Sequence, residues 1–160
     1  MRTGFGFDVH ALGDSPPLLL CGVRVDDAVG LIGTSDADVA AHAVSDALLG
    51  AAVLGDMGVH FPSRHDDFVD ADSMDLLAQV VAMVAAHGYT VSHADVTIVA
   101  QSVRVGPHRD AMRSNLARVL RIDVTAASVK ATTTDGLGLI GRDEGIAAIA
   151  VVSIGLSSPG

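Results

Sequence analysis

Apolar and polar residues alternate in the first stretch of the chain, where Arg2-Thr3-Gly4-Phe5-Gly6-Phe7 runs into Asp8-Val9-His10. A two-residue period predicts a strand and sets Asp8 and His10 on one face of it. The loop Gly13-Asp14-Ser15-Pro16-Pro17 follows, and the apolar run from Leu18 to about Val25 predicts a second strand. Asp26-Asp27 and Gly30 break the chain before Leu31-Ile32-Gly33. From Thr34-Ser35-Asp36-Ala37-Asp38 the pattern becomes that of a helix, about Asp38 to Leu54, which Ser35 or Asp36 can cap. Its small residues Ala41, Ala43, Ala47, Ala51 and Ala52 would let it sit tight against a sheet or another subunit.

Farther along, Asp72-Ser73 caps a second helix, about Ser73 to His87, which Gly88 ends. Leu76, Leu77, Val80, Val81 and Val84 are its core stripe. Asp95 to Gln101 predicts a strand by β-branching, and Ser102 to Gly106 a loop. Pro107 opens a third helix reaching about Leu120, with Met112, Leu116, Val119 and Leu120 inward. Ala127 to Thr132 and Ile146 to about Ile154 are the last strands, and the tail from Ser157 is expected to fray. The order is roughly β-β-α-α-β-α-β-β, an α+β fold with helices on one face of a mixed sheet. At 160 residues, with no linker or repeat, residues 1–160 are expected to form one domain.

Composition narrows the function. Hydrophobic residues make up 49% of the chain and charged residues only 18%, as in a compact domain whose surface is partly used by subunit contacts. A net charge of −9, with one Tyr and no Trp, excludes the basic stripe and stacking platforms of a nucleic-acid binder. A phosphate ligand would have to be held by metal ions and backbone N–H groups. Cys21 is the only cysteine, so there is no disulfide framework; in its apolar run it reads as a buried small hydrophobe. Met1-Arg2 leads straight into the first strand without a signal peptide, and Ile146 to Leu156 is too short to span a bilayer. A cytoplasmic protein is expected.

The candidate chemistry begins with Asp8 and His10, a carboxylate and an imidazole on one strand face, with His42 one turn into the first helix. Three N/N/O ligands with a vacant fourth position describe a catalytic zinc. The alternative is that Asp8 closes a turn and His10 is an ordinary surface residue. Asp46, one turn beyond His42, is either a partner orienting the imidazole or a solvated carboxylate. The glycine-punctuated segment Gly55 to His65 reads as a binding loop.

Taken together, the residues resemble the 2-C-methyl-D-erythritol 2,4-cyclodiphosphate synthase family. The matching pieces are Gly6-Phe7-Asp8-Val9-His10, Ser35-Asp36-Ala37-Asp38-Val39 with His42, and Ser45-Asp46-Ala47-Leu48-Leu49-Gly50-Ala51. Leu54-Gly55-Asp56-Met57-Gly58, Phe61-Pro62, Asp95-Val96-Thr97-Ile98, Lys130-Ala131-Thr132-Thr133-Thr134 and Gly141-Arg142 with Glu144-Gly145 follow in order. The resemblance implies a homotrimer with active sites between subunits. It implies intramolecular phosphoryl transfer on 4-diphosphocytidyl-methylerythritol 2-phosphate, releasing CMP. One zinc is implied on Asp8, His10 and His42, and a second cation, Mg2+ or Mn2+, beside Asp135.

Other implied roles follow position by position. Thr133 would donate to the transferring phosphate with Thr132 beside it, and Thr34 and Ser35 would lie near the phosphates. Asp56, Met57, Gly58 and Phe61, with Ser63, Arg64 and His65, would meet sugar or methylerythritol hydroxyls. Ala100, Gln101, Ser102, Val103, Arg104, Val105 and Gly106 would wall a cytosine pocket, and Leu139 and Arg142 would lie near the threefold axis or the phosphates. The chain departs from the family's common pattern in having Thr34 for His, Ser63 for an acidic residue, Asp135 for Glu, and Ala37 and Asp143 for glycines. Two other readings stay open: a zinc phosphohydrolase, and a trimeric binding module without turnover.

Overall fold

A computed structural model describes residues 1–62 and 70–157. Ser63, Arg64 and His65, assigned above to a binding loop, lie outside the described residues, as does the tail beyond Ser157. The first strand, β1, runs Arg2–Gly13, farther than the alternation alone suggested. Asp8 and His10 are therefore inside the strand, on one face of it as the alternation predicts. The expected second strand is a hairpin, β2 Leu18–Leu20 and β3 Val23–Asp26, joined at Cys21-Gly22. Those two residues have φ of +51° and +69°, which suits a primed two-residue turn. Cysteine is not a usual turn residue, so the break was hidden in an apolar run.

Short β4, Gly30–Ile32, pairs with the end of β1. Helix α1 spans Val39–Ala52, and a single turn, α2, spans Met57–His60. Next come α3, Ser73–Ala86, and β5, Tyr89–Val99. Strand β5 starts six residues before the expected strand because its first half pairs with the end of β7. Helix α4, Arg109–Leu120, β6, Ala127–Thr132, the short α5, Gly138–Gly141, and β7, Gly145–Leu156, complete the order. Five strands form one sheet in the order β4-β1-β7-β5-β6; β5 and β6 are parallel and the other neighbours antiparallel. The fold is α+β with a mixed sheet.

Helices cover one face. Val96, Ile98, Ala148, Ala150, Val152 and Ile154 point into the core beneath α1 and are fully buried. On the opposite face Phe5 is 64% exposed, Phe7 53% and Val9 42%, with Val151 beside Phe5 in register. A row of large apolar side chains facing water on one sheet face marks a surface built for contact.

The helix-covered side of β1 carries no large side chains near its start. A Cβ on Gly4 would fall 1.8 Å from the Ala47 carbonyl oxygen, and one on Gly6 would fall 1.9 Å from that of Ala43. The α1 backbone rests directly on the strand, its alanines serving the sheet. This contact sets how far His42 stands from Asp8 and His10.

Asp38, fully buried, caps α1 in place of the expected Ser35 or Asp36. Its Oδ1 accepts from Ala40 N and Ala41 N, and its Oδ2 accepts from Gly22 N at 2.6 Å. One carboxylate thus ties the hairpin turn to the helix start, while burial pushes its pKa upward. Asp38→Ala should cost about 2–3 kcal/mol, from the lost cap and the stranded Gly22 N–H, measured by urea unfolding.

Candidate active site

Alternation along β1 and the tight seat of α1 bring three ligand atoms together. Asp8 Oδ2 lies 3.0 Å from His10 Nε2 and 3.0 Å from His42 Nδ1, and the two nitrogens are 3.1 Å apart. Ligands about 2.0–2.1 Å from a tetrahedral zinc stand about 3.3 Å from one another, so this triangle is close to the size a cation needs.

The far ring nitrogens decide the tautomers. His10 Nδ1 is 2.8 Å from the Ile32 carbonyl oxygen in β4, an acceptor only, so Nδ1 carries the hydrogen and Nε2 is bare in the neutral ring. His42 Nε2 is 2.9 Å from Ser73 Oγ and 3.2 Å from Ser35 Oγ. Ser73 Oγ donates its own proton to Asp36 Oδ1, so it can only accept from His42 Nε2–H. That leaves His42 Nδ1 bare as well. A carboxylate oxygen and two nitrogen lone pairs pointing at one spot repel each other unless a cation sits among them. The residues fit a divalent metal.

The electrostatics agree. Burial pushes the Asp8 carboxyl up, but with the rings protonated, hydrogen bonds and charge from His10 and His42 outweigh it and hold it well below the usual carboxylate range. The Asp8 hydrogen bond raises His10, against desolvation. A metal ion satisfies the same demand for positive charge without a proton, and zinc must displace any proton that is there.

The triad lines a cavity of about 270 Å³ with Thr34, Ser35, Met57, Gly58 and Phe61, all expected site residues, and with Asp46. The hydrogen bond Asp46 makes is not to His42: its Oδ1 accepts from Met57 N at 2.8 Å and holds the start of α2. Burial raises its pKa, against the Met57 N–H. Asp56 caps α2 through Val59 N instead of lining the cavity.

The remaining expected residues gather elsewhere. Ala100, Gln101, Ser102, Val103 and Arg104 line a second cavity, of about 290 Å³, with Thr132 and Thr133. The Val105 side chain is buried in the core, and Gly106 begins a 3-10 turn. Asp135, at φ +52°, accepts from Thr133 Oγ at 3.3 Å, and its N–H donates back to that oxygen at 3.2 Å. Arg142 is exposed and paired with Glu144 at 2.7 Å, and exposed Leu139 belongs to α5. Among the described residues, none lines both the triad cavity and the second one. Within one chain, the expected site is in two halves.

Residues 1–155 match the sequence pattern of the YgbB family. The chain belongs to the YgbB family. A relative from Salinibacter ruber, named 2-C-methyl-D-erythritol 2,4-cyclodiphosphate synthase, is 52% identical over 96% of this chain and 98% of its own length. The bifunctional IspDF of Campylobacter jejuni superposes with a TM-score of 0.94 at 44% identity; the match covers 97% of this chain but only 42% of that longer one. A CDP-bound form of 2C-methyl-D-erythritol-2,4-cyclodiphosphate synthase matches at TM-score 0.88 and 33% identity, over 96% of this chain and all of that one.

In this YgbB-family chain, reading the sequence missed Ser73 and the Ile32 carbonyl as partners of the imidazoles, and Asp36 as the acceptor behind Ser73. Ser73 read as part of a helix cap, and Asp72 does cap α3, through Met74 N. Nothing in the linear pattern ties Ser73 to His42, since the contact spans 31 residues. Asp36 was read as a cap and a main-chain carbonyl leaves no sequence signal.

Proposed function

We propose that this chain is a 2-C-methyl-D-erythritol 2,4-cyclodiphosphate synthase of the non-mevalonate isoprenoid pathway. It converts 4-diphosphocytidyl-2-C-methyl-D-erythritol 2-phosphate to the cyclic diphosphate and CMP. The observation that carries this reading is the convergence of Asp8, His10 and His42 in a cavity of a YgbB-family chain. The reaction is that of a cyclising phosphorus–oxygen lyase. An oxygen of the 2-phosphate bonds to the β-phosphorus, the bond from that phosphorus to the bridging oxygen breaks, and CMP leaves with that oxygen.

Both reacting groups are anions, so rate enhancement comes from positioning and charge neutralisation, with no protein nucleophile. Asp8, His10 and His42 would hold a zinc, which would supply Lewis-acid charge neutralisation to the substrate's phosphates. Asp135 would hold Mg2+ or Mn2+ on the diphosphate with waters. Thr133 Oγ donates to the transferring phosphate, with Thr132 beside it, and Thr34 and Ser35 wall the zinc side. Met57, Gly58 and Phe61, with Asp56 and the 63–65 segment, receive the methylerythritol hydroxyls. The 100–106 segment reads the cytosine through backbone groups, and Leu139 and Arg142 lie toward the threefold axis. Residues 1–160 act as one domain in the cytoplasm; no helix among the described residues is long and apolar enough to cross a membrane.

A homotrimer brings the two half-sites together. Two features support it: the open apolar sheet face of Phe5, Phe7, Val9 and Val151, and the separation of the triad from the 100–104 and 132–133 cavity. A neighbouring copy covers the first and joins its cavity to the second.

The deciding experiment is turnover of the substrate by purified protein, with elemental analysis and solution mass. Expected are CMP, cyclic diphosphate, zinc at about one ion per chain for a site of this ligand set, and a trimeric mass. Free phosphate in place of CMP would make it a hydrolase, and binding without turnover would make it a binding module. Asp135→Ala should abolish most activity while zinc is retained; activity surviving that change would move the second cation elsewhere. Ser73→Ala should weaken zinc binding about 10–100-fold, in competition with a chelator, because the His42 ring loses the acceptor that fixes its tautomer.

A further inference from the structure

We propose that Asp143 is a positioning residue that latches the wall of the cytidine pocket through Ser102, an inference that rests on the function proposed above. Ser102 N and Ser102 Oγ both donate to the same oxygen, Asp143 Oδ1, at 3.2 and 2.8 Å. One residue earlier, Gln101 Oε1 accepts from Gly136 N at 3.2 Å, beside Asp135. The strand end is held by Ala100 N donating to the Thr132 carbonyl at 3.0 Å. The segment therefore leaves β5 clamped on two sides: to the threonine loop through Ala100 and Gln101, and to the α5–β7 turn through Ser102.

The second clamp matters because of what else borders the segment. Ser102, Val103 and Arg104 line the pocket of about 290 Å³. The same three residues also line a larger cleft of about 700 Å³, shared with Leu12, Asp26 and Asp143. A segment that borders two cavities has room to move away from a ligand, and a carboxylate bound to both a main-chain and a side-chain donor restrains it. The backbone at Asp143 makes the residue choice informative. It sits at φ +54°, where its N–H meets the Ile140 carbonyl at 3.0 Å as α5 ends. Glycine satisfies that turn with less strain than any other residue. The aspartate side chain is not what the turn needs; its acceptor goes to Ser102.

The latch acts before chemistry, so it belongs in nucleotide affinity and not in turnover. The test compares full-length zinc-loaded wild type, Asp143→Gly and Asp143→Asn. Three readouts are taken: affinity for CDP, the KM and kcat of the synthase reaction, and hydrogen exchange of the 101–105 amides without nucleotide. Asp143→Gly keeps the turn and deletes the latch. It is expected to weaken CDP binding and raise KM about 5–10-fold, the size of one charge-assisted hydrogen-bond pair at an exposed site. Its kcat and zinc content should stay at wild-type level, its melting temperature should not fall, and its 101–105 amides should exchange faster. Asp143→Asn keeps an Oδ1 acceptor and is expected to restore both affinity and protection. Unchanged exchange or unchanged CDP affinity in Asp143→Gly overturns the latch, as does a loss confined to kcat. Wild type that binds no CDP overturns the functional reading, and the latch's role in nucleotide binding with it, whatever the exchange shows.

Discussion

His42→Ala is expected to strip the protein of zinc and lower CMP formation about 10³-fold or more, a loss set by the several kcal/mol that a metal contributes to phosphoryl transfer. The change removes one corner of a triangle whose sides are 3.0–3.1 Å, leaving Asp8 and His10 as a two-point site on one strand. Two ligands from adjacent same-face positions cannot close a tetrahedral site. The outer partners lose their role with it: Ser35 and Ser73 lose the ring nitrogen they hold, while the Asp36 carboxylate keeps its bonds to Ser73 and Asp38 N. Zinc measured after desalting and turnover at saturating substrate should fall together. Full turnover by a metal-free His42→Ala protein would refute the proposed role of the triad. Unfolding curves separate this from a folding defect, since His42 lies at the edge of the helix–sheet contact and the core residues of α1 remain.

Gly6→Ala should destabilise the fold by about 3 kcal/mol or more, more than ordinary overpacking, because the new methyl meets backbone and not a movable side chain. The Ala43 carbonyl oxygen would be 1.9 Å from the added Cβ and Ala47 N 2.8 Å from it. Helix α1 would have to retreat by more than an ångström along its contact with β1, and Ala43 is the neighbour of His42. For a chain of this length the loss corresponds to a fall in melting temperature of about 6–12 °C. The zinc site should weaken with it, although no ligand is touched. A Gly6→Ala protein with wild-type stability and zinc content would show that the seat of α1 does not set the ligand spacing.

These two variants mark different kinds of legibility. The ligand types and their phase were readable: alternation placed Asp8 and His10 on one face of β1, and helical spacing put His42 near the start of α1. The main helices were readable for the same reason, with α3 and α4 within a few residues of their expected ranges. Short elements were not. The Leu18–Val25 run concealed a hairpin turn at Cys21, and β4 and α2 have too few residues to show a period. Asp46 illustrates the limit of helical spacing: it lies one turn from His42, yet its carboxylate turns to Met57.

By itself the sequence determined which atoms are available and which face of a strand or helix each occupies, because backbone geometry imposes those periods locally. An acidic chain without disulfides, carrying a carboxylate and two imidazoles at set positions, already pointed to metal-held phosphate chemistry. Only the tertiary structure decided the distances. The glycines of β1 receive the alanine ridge of α1, Ser73 and Asp36 arrive from separate segments to fix His42, and the Ile32 carbonyl fixes His10. It also decided that the triad and the threonine loop open into different cavities and that one sheet face is left bare. Those outcomes depend on which surfaces meet across tens of residues, and no local period encodes them.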